Sequence, residues 1–368
     1  MIRAITTRAP ILAENRRDPD WEVILSYLPE GWADAARQLG AFTRSRGFAD
    51  PEAMLRTLLL HLAQGCSLRE TAVRAKRAGL ANVSDVAVLK RLRAAENWLH
   101  YLASALALPE MPAHLMQKRF GRFRLCAVDA TAISEPGSTG TDWRLHYMLE
   151  LPALACGHFE LTDVHVGESL TRFPVQKGDL FLADRGYESA KGIDYVRERG
   201  GEVALRIRVA VCPLRTRSNK PFDLLKVSSS LGERRYREWP VIMEGARTPS
   251  VPGRVCVYRR EAEAVEVARA QILRRASRKG HEVMAETLEA AKYVALFTTV
   301  PLSFISTSDV FALYRFRWQI ELAFKRLKTL TGFGHLPKRD AASCRAWLYG
   351  KLFVGLLAES MARAPFFP

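Results

Sequence analysis

The sequence predicts an α/β protein with a buried sheet behind a helical N-terminal region, and three observations support this fold class. Residues 1–118 carry apolar side chains at three- and four-residue steps, which is typical of amphipathic helices. From residue 120, short apolar runs rich in strand-forming residues follow one another, as buried strands do. Residues 209–301 mix strand-like segments with Gly, Pro and Ser, which indicates a mainly β subdomain inserted in the α/β core.

The charge of the chain favours a polyanionic partner. The formal net charge is +16 and the pI is near 9.8, which attracts nucleic acid or an anionic surface, although a generally basic composition is an alternative. The sequence has no apolar run of membrane-spanning length and no secretion signal. Its six cysteines are widely spaced, which argues against zinc and a disulfide scaffold. We therefore expect a cytoplasmic protein with no membrane partner.

The helical region contains a possible helix-turn-helix. Ser67 and Glu70 form a predicted capping box, and Gly79 ends that helix. A longer helix is expected from Ser84 to about Leu108, and its exposed positions include three basic residues, Lys90, Arg91 and Arg93. Such a pair of helices could lie on DNA, but a plain helical bundle with a solvated basic face explains the pattern equally well.

Residues 119–208 predict three strands, then a fourth strand, a helix over 189–199 and a fifth strand. Two aspartates interrupt or end the apolar runs: Asp129 in "FRLCAVDATAI" and Asp184 in "GDLFLADRGY". A carboxylate in a buried strand is costly unless it is paired or binds a metal. A strand-end cap for Asp129 and an arginine pair for Asp184 are the structural alternatives.

Residues 209–301 predict strands at "DLLKVSSSL", "RRYREWPVIM", "RVCVYRR" and "YVALFTTV", with one charged helix over 263–292 before the last of them. A helix starting near Ser308 is expected to continue through "YRFRWQIELAFKRLK", residues 314–328. A final amphipathic helix is predicted over 343–362.

The segment 314–328 places one acid among many bases. Projected as a single helix, it has a buried face and beside it a stripe about 80° wide. The buried face comprises Leu313, Phe316, Ile320, Ala323, Phe324 and Leu327. The stripe comprises Tyr314, Arg317, Glu321, Lys325 and Lys328. Ion pairs four residues apart explain part of this stripe but leave the tyrosine and the excess positive charge without a role.

Three acids on two strands and one helix can form a centre for divalent cations. Two hard cations held by carboxylates activate a water or hydroxyl and stabilise the leaving oxygen in phosphodiester chemistry. Asp129, Asp184 and Glu321 supply such ligands, and the bases around Glu321 would contact the phosphates.

These residues resemble a known family. The spacing of Tyr314, Arg317, Glu321 and Lys328 is similar to the YREK signature of the bacterial insertion-sequence-four transposases. "AVDAT" and "LADRGY" resemble the first two catalytic motifs of that family, and "ELTDVHVGES" resembles the segment that links them. The resemblance covers residues 50 to 360, approximately.

The resemblance implies an RNase H-like mixed-sheet core in residues 119–208 and 302–368. The inserted mainly β subdomain, 209–301, interrupts this core, and residues 1–118 become an N-terminal helical DNA-binding domain. It further implies DDE chemistry: Mg²⁺, replaceable by Mn²⁺, is bound by Asp129, Asp184 and Glu321. Cleavage of the element's ends leaves a 3′-OH that is joined to target DNA, in some members through a hairpin. The DNA contacts would come from Tyr314, Arg317, Lys325, Lys328 and Arg185, with Tyr293 in the place of a base-stacking tryptophan.

The implied partners are double-stranded DNA, both terminal inverted repeats and target, and a second copy of the chain in the DNA complex. Neither a membrane nor an organic cofactor is expected, and the protein would be nucleoid-associated in the cytoplasm. The chain ends 47 residues after Glu321, which is short for the family. A decayed or domesticated copy with residual nuclease activity is therefore one alternative, and a DNA-binding regulator without catalysis is another.

Overall fold

The N-terminal region is helical, as predicted. The structure is a computed structural model that describes residues 19–363 apart from 46, 108–121, 139–141, 152, 233, 246–247 and 338, so parts of the predicted domain 1–118 lie outside it. Six helices come first: α1 (Pro19–Ser26), α2 (Trp32–Gln38), α3 (Pro51–Leu62), α4 (Leu68–Arg77), α5 (Asp85–Ala94) and α6 (Glu96–Leu106).

Local capping explains where α4 and α5 begin and end. Ser67 accepts a hydrogen bond from the Glu70 amide at 3.2 Å, and Gly79 follows α4 with a left-handed φ of 70°. The carboxylate of Glu70 pairs with Arg74 on the next turn of the helix. The single helix expected from Ser84 to about Leu108 is wrong, because a turn at Ala95 divides it into α5 and α6, and Leu108 lies outside the described residues. In α6, the fully buried Trp98 donates a hydrogen bond to the Trp32 carbonyl at 2.9 Å.

One nine-stranded mixed sheet forms the centre of the molecule, in the order β3-β2-β1-β4-β5-β9-β8-β7-β6. The core strands are β1 (Arg124–Ile133), β2 (Trp143–Leu151), β3 (Ala155–Asp163), β4 (Asp179–Ala183) and β5 (Glu202–Ile207), with α7 (Ala190–Glu198) between the last two. Strands β1, β4 and β5 are parallel neighbours, and the other pairings are antiparallel. The succession of elements predicted for residues 119–208, three strands followed by a strand, a helix and a strand, is confirmed.

The insertion 209–301 does not form a sheet of its own. Its strands β6 (Leu214–Arg215), β7 (Tyr236–Met243), β8 (Val251–Arg259) and β9 (Tyr293–Thr298) extend the central sheet, because β9 pairs with β5. It is also less β-rich than expected, since it holds three helices: α8 (Leu224–Ser229), α9 (Ala262–Lys279) and α10 (Ala285–Ala290).

Two predictions in this insertion are wrong. The segment "DLLKVSSSL" forms α8 rather than a strand, because Asp223 caps it by accepting a hydrogen bond from the Lys226 amide at 2.9 Å. The charged helix expected over 263–292 is divided into α9 and α10, because Gly280 ends α9 in a left-handed conformation, φ 64°.

Helices cover both faces of the sheet. Odd-numbered residues of β1 such as Leu125 and Ala127 belong to one apolar cluster, and even-numbered ones such as Cys126 and Val128 to another, as strand alternation requires. The first cluster packs on the remaining helices, α11 (Thr307–Arg315), α12 (Trp318–Thr331) and α13 (Ala341–Arg363), and extends into α3 and α6. The N-terminal helices and the sheet therefore share one core. Within the described residues, no helix is long and apolar enough to cross a membrane.

Candidate active site

The pairing of β1 with β4 places two aspartates side by side. Arg124 on β1 lies opposite Asp179 on β4, and its guanidinium makes two hydrogen bonds to that carboxylate, at 2.7 and 2.8 Å. The register runs on to the pair Val128 and Ala183. Asp129 is the next residue of β1, and Asp184 directly follows β4. By strand alternation, both side chains point to the face of the sheet that α12 covers. The prediction that these two aspartates lie on neighbouring strands is confirmed.

The motif 314–328 is not one helix. A tight turn at Phe316 and Arg317 separates α11 from α12, with hydrogen bonds between residues three apart, such as Arg317 N to Tyr314 O at 3.1 Å. The expected buried face is therefore interrupted: Leu313 and Ile320 are fully buried, but Phe316 is 48 % exposed. Tyr314 lies on α11, whereas three predicted site residues share one face of α12, namely Glu321, Lys325 and Lys328.

Arg317 joins the strand and the helix of the acidic centre. Its guanidinium contacts Asp129 at 3.1 Å and Glu321 at 2.5 Å, so one cation neutralises two of the three predicted metal ligands. Burial nevertheless raises the pKa of Asp129 to about 6, and the charges of Glu168 and Asp184 add to this rise. Burial thus outweighs the stabilising charge of Arg317. The carboxylate is held at an energetic cost, which is common at functional sites.

The third acid begins the turn that follows β4. Asp184 accepts a hydrogen bond from the Arg185 amide at 2.5 Å and caps a short 3-10 helix, Arg185–Tyr187. Its negative charge raises the pKa of both Asp129 and Glu168, so the carboxylates are close enough to repel one another. A further acid near this turn, Glu168, was not predicted from the sequence. It belongs to the "ELTDVHVGES" segment and is half-buried.

These carboxylates suit a hard divalent cation in kind. All of their donor atoms are oxygen, which Mg²⁺ prefers, and the guanidinium of Arg317 already occupies a cationic position between Asp129 and Glu321. As they are arranged, no group of three or more acidic, histidine or cysteine side chains within the described residues could hold a metal ion. Arg317 therefore competes with any cation for Asp129 and Glu321.

An arginine-lined cavity of about 290 Å³ adjoins the turn after β4, because Arg185, the residue after Asp184, lines it. Its charged lining consists of Arg185, Arg206, Arg208, Arg260 and Arg275, and no described acidic residue lines it. Tyr293, at the start of β9, forms part of the wall and is 7 % exposed. Burial lowers the pKa of Arg185, and so does the nearby charge of Arg206, which shows that the positive charges are crowded. Two predicted DNA-contacting residues, Arg185 and Tyr293, are thus brought together.

Tyr314 lies between the acidic centre and this arginine-lined cavity. Burial raises its pKa to about 12, and the charges of Arg317 and Arg206 act on it together with that of Asp184. Lys328 is partly buried, which lowers its pKa, and its aliphatic chain packs on Gly334. Lys325 is exposed. Within the described residues neither lysine pairs with Glu321, and Arg317 is the base that contacts this acid.

The basic residues predicted on the N-terminal helices lie outside this site. Arg91 donates hydrogen bonds to the carbonyl oxygens of Arg44 at 2.6 Å and Ala41 at 3.4 Å. Arg93 contacts α13, through Ser343 at 2.8 Å and Asp340 at 3.1 Å, and Lys90 is exposed. Arg91 thus stabilises the packing within the N-terminal helical region, and Arg93 links this region to the start of α13. A DNA contact by these three residues stays a prediction.

Comparisons with known proteins agree with this geometry. The family described as "Transposase DDE domain" matches residues 162–357. The transposase for insertion sequence element IS421 of Escherichia coli is 34 % identical over 357 residues, which is 94 % of this chain and 95 % of the relative. The InsL protein for insertion sequence element IS186A of Escherichia coli K12 is also 34 % identical, over 356 residues, with the same shares covered.

Proposed function

Because this chain belongs to the DDE transposase family, we propose that it is the transposase of an insertion sequence, which cuts the ends of its own element and joins them to target DNA. The observation that carries this proposal is the β1–β4 register, which puts Asp129 beside Asp184 on the face where Arg317 and Glu321 lie. The proposal includes the finer family assignment, the insertion-sequence-four type with Tyr314, Arg317, Glu321 and Lys328 as its YREK residues, and an RNase H-like core.

In this proposal Asp129, Asp184 and Glu321 hold Mg²⁺, for which Mn²⁺ can substitute. When bound, divalent cations supply a Lewis acid that lowers the pKa of an attacking water and stabilises the leaving oxygen. Attack of water on phosphorus breaks the bond to the 3′ oxygen, which leaves as the 3′-OH of the element's end. That hydroxyl then attacks a second phosphodiester, either in the opposite strand to form a hairpin or in target DNA.

The bases around the acids would hold the DNA in place during these steps. On α12, Lys325 and Lys328 follow Glu321 on one helix face and can contact successive phosphates. Arg317 would exchange its carboxylate partners for phosphate, since a guanidinium binds either anion in the same two-pronged manner. The arginine-lined cavity would receive the strand beside the cut, with Tyr293 available to stack on a base. Cutting two ends calls for two subunits, so we propose a homodimer in the DNA complex.

The decisive experiment combines the purified protein, linear DNA carrying the flanking inverted repeats, and Mg²⁺. We expect cleavage at the element's ends, with a loss of at least about 10³-fold in Glu321→Gln but retained DNA binding, the order found when a principal catalytic group is removed. Glu359→Gln is the matched control, because Glu359 contacts the same helix through Arg326 at 3.6 Å but lies outside the acidic centre.

Two other outcomes separate the alternatives. Cleavage without joining would identify a decayed copy with nuclease activity only. Sequence-specific binding with no cleavage in Mg²⁺ or Mn²⁺ would overturn the enzymatic proposal and favour a DNA-binding regulator.

A further inference from the structure

Glu168 lies against the turn that begins with Asp184. A Cβ atom added to Gly186 would overlap the Glu168 carboxylate oxygen Oε2. The Glu168 carboxylate therefore lies directly against the backbone of the Asp-Arg-Gly turn, in the space that a side chain at position 186 would take. A second carboxylate is thus packed two residues from Asp184, from a segment that precedes β4 in the chain.

Charge compensation differs between Glu168 and Asp129. Arg317 pairs directly with Asp129, whereas Glu168 forms no salt bridge or hydrogen bond within the part of the chain that the structure describes. The positive charge of Arg144 acts on Glu168 at longer range, and the guanidinium of Arg144 donates to the Val166 carbonyl instead. Glu168 is half-buried near two other acids and has no direct counter-ion there.

A buried hydroxyl group gives independent evidence that a ligand belongs here. Tyr187 is 1 % exposed, and its phenol oxygen has no hydrogen-bond partner among the described residues. After burial, the charges of Asp129 and Glu168 are the largest causes of its raised pKa, so the phenol lies near both carboxylates. A buried hydroxyl without a partner destabilises the fold, because it has lost its hydrogen bonds to water. A hydrated cation bound by these carboxylates would bring water within reach of the phenol.

We propose that Glu168 is a fourth carboxylate ligand of the divalent-metal centre, acting with Asp129 and Asp184, and that the Tyr187 hydroxyl contacts the hydration shell of the metal. This inference rests on the proposed function. A cation at this position offsets the repulsion between the three acids and supplies the counter-charge that Glu168 lacks. Gly186 then serves the metal centre, because any side chain at position 186 would displace the Glu168 carboxylate.

The test is Mn²⁺ binding to the full-length protein in the absence of DNA, measured by calorimetry and by electron paramagnetic resonance of the free ion. We expect Glu168→Gln to lose one bound Mn²⁺ or to weaken its binding at least about 10-fold, and Glu168→Asp to restore part of it. Glu160→Gln is the control: it removes a partly exposed carboxylate eight residues earlier, paired with Arg172 at 3.0 Å, and should bind Mn²⁺ as the wild type does.

Stability measurements keep the outcomes distinct. A purely structural role would lower the melting temperature of Glu168→Gln while leaving Mn²⁺ stoichiometry and affinity unchanged, and that result would overturn the inference. If Glu168→Gln does not fold, unchanged Mn²⁺ affinity in both Glu168→Asp and Tyr187→Phe overturns it. The proposed function stands when the wild type binds Mn²⁺ and cleaves DNA. It fails separately if the wild type shows neither.

Discussion

The acidic centre contains Asp184 and the arginine-lined cavity contains the next residue, Arg185, but the two regions differ in how their charges are compensated. In the acidic centre, Arg317 bridges Asp129 and Glu321, so part of the negative charge is neutralised within the chain. In the cavity, Arg208 pairs with Glu188 at 3.5 Å. The other four arginines of the cavity form no salt bridge within the described residues. The first region has a counter-ion within the chain, whereas in the proposed function a DNA strand would supply the anion for the second.

Because of this difference, we expect mutations in the two regions to impair different properties, cleavage in one and DNA binding in the other. Neutralising an acid in the centre should remove chemistry and spare binding, because the carboxylates contribute little attraction for DNA. Neutralising arginines in the cavity should weaken binding and change its salt dependence, because each lost phosphate contact changes the number of counterions released. Four predictions use this contrast, from the largest expected effect to the smallest.

Replacing Asp184 by Asn should lower end cleavage at least about 10³-fold, the order for removal of a principal catalytic group, while the Kd for the element's end stays within a few-fold of wild type. Single-turnover cleavage and a binding titration on the same DNA measure the two effects. Asp163→Asn, at the exposed end of β3, is the control with the same chemical change. Equal losses in both assays would mean that the two regions are not functionally separate.

Replacing Asp179 by Asn should lower the free energy of unfolding by up to about 3 kcal/mol, because Asp179 is 1 % exposed and makes two hydrogen bonds to Arg124, which would keep the contact with Glu150 at 2.8 Å. Urea unfolding followed by circular dichroism measures this loss. Glu244→Gln breaks an equally short pair with Arg215, at 2.7 Å, but solvent screens both groups, and we expect a much smaller loss of stability than for Asp179→Asn. A small effect for Asp179→Asn would show that other contacts fix the β1–β4 register.

Replacing Asp129 by Asn should stabilise the metal-free protein at neutral pH, by at most about 3 kcal/mol for a pKa raised by about two units. The folded pKa is about 6 and the ordinary value is 3.8, so the stability that Asp129 contributes is present below pH 3.8 and is lost as pH rises through 6. The gap between mutant and wild type should therefore widen from pH 4 to about pH 6 and then stay constant. A gap that narrows over this interval would contradict the raised pKa.

Replacing Arg275 by Gln should reduce the slope of log Kobs against log salt concentration by about 0.9, the value for one phosphate contact on duplex DNA. Arg278→Gln provides the control, since Arg278 is on the same helix and exposed but does not line the cavity. Filter binding at four or five salt concentrations is sufficient. Identical slopes for the two variants would show that the cavity does not receive DNA.

The sequence was most informative where one local rule decides the outcome. Acids that interrupt apolar runs located Asp129 and Asp184, and strand periodicity predicted the order of β1 to β5. It was misleading at Phe316, because an apolar residue at the right helical spacing predicts burial, and a tight turn there changes the spacing. Similarly, the apolar residues of the "DLLKVSSSL" segment follow neither a helical nor a strand periodicity clearly, and the N-terminal cap by Asp223 favours the helix.

The arginine-lined cavity could not be predicted, because its five arginines come from four segments distant in sequence: the turn after β4, the end of β5, the residue after β8, and α9. Only the sheet order, with β9 inserted between β5 and β8, brings these segments together. Glu168 was missed for a related reason, since its importance comes from packing against Gly186. The one signal available was its place in a segment that resembles the family's linking motif.

The bridge made by Arg317 has a thermodynamic consequence. A guanidinium cannot hold Asp129 and Glu321 and a DNA phosphate in the same way at once, so a phosphate that attracts Arg317 releases carboxylates for a cation. We therefore expect DNA to increase the affinity for the cation, and by reciprocity the cation must increase the affinity for DNA by the same factor. We infer that Arg317, through this exchange of partners, lowers the affinity for the cation in the DNA-free protein.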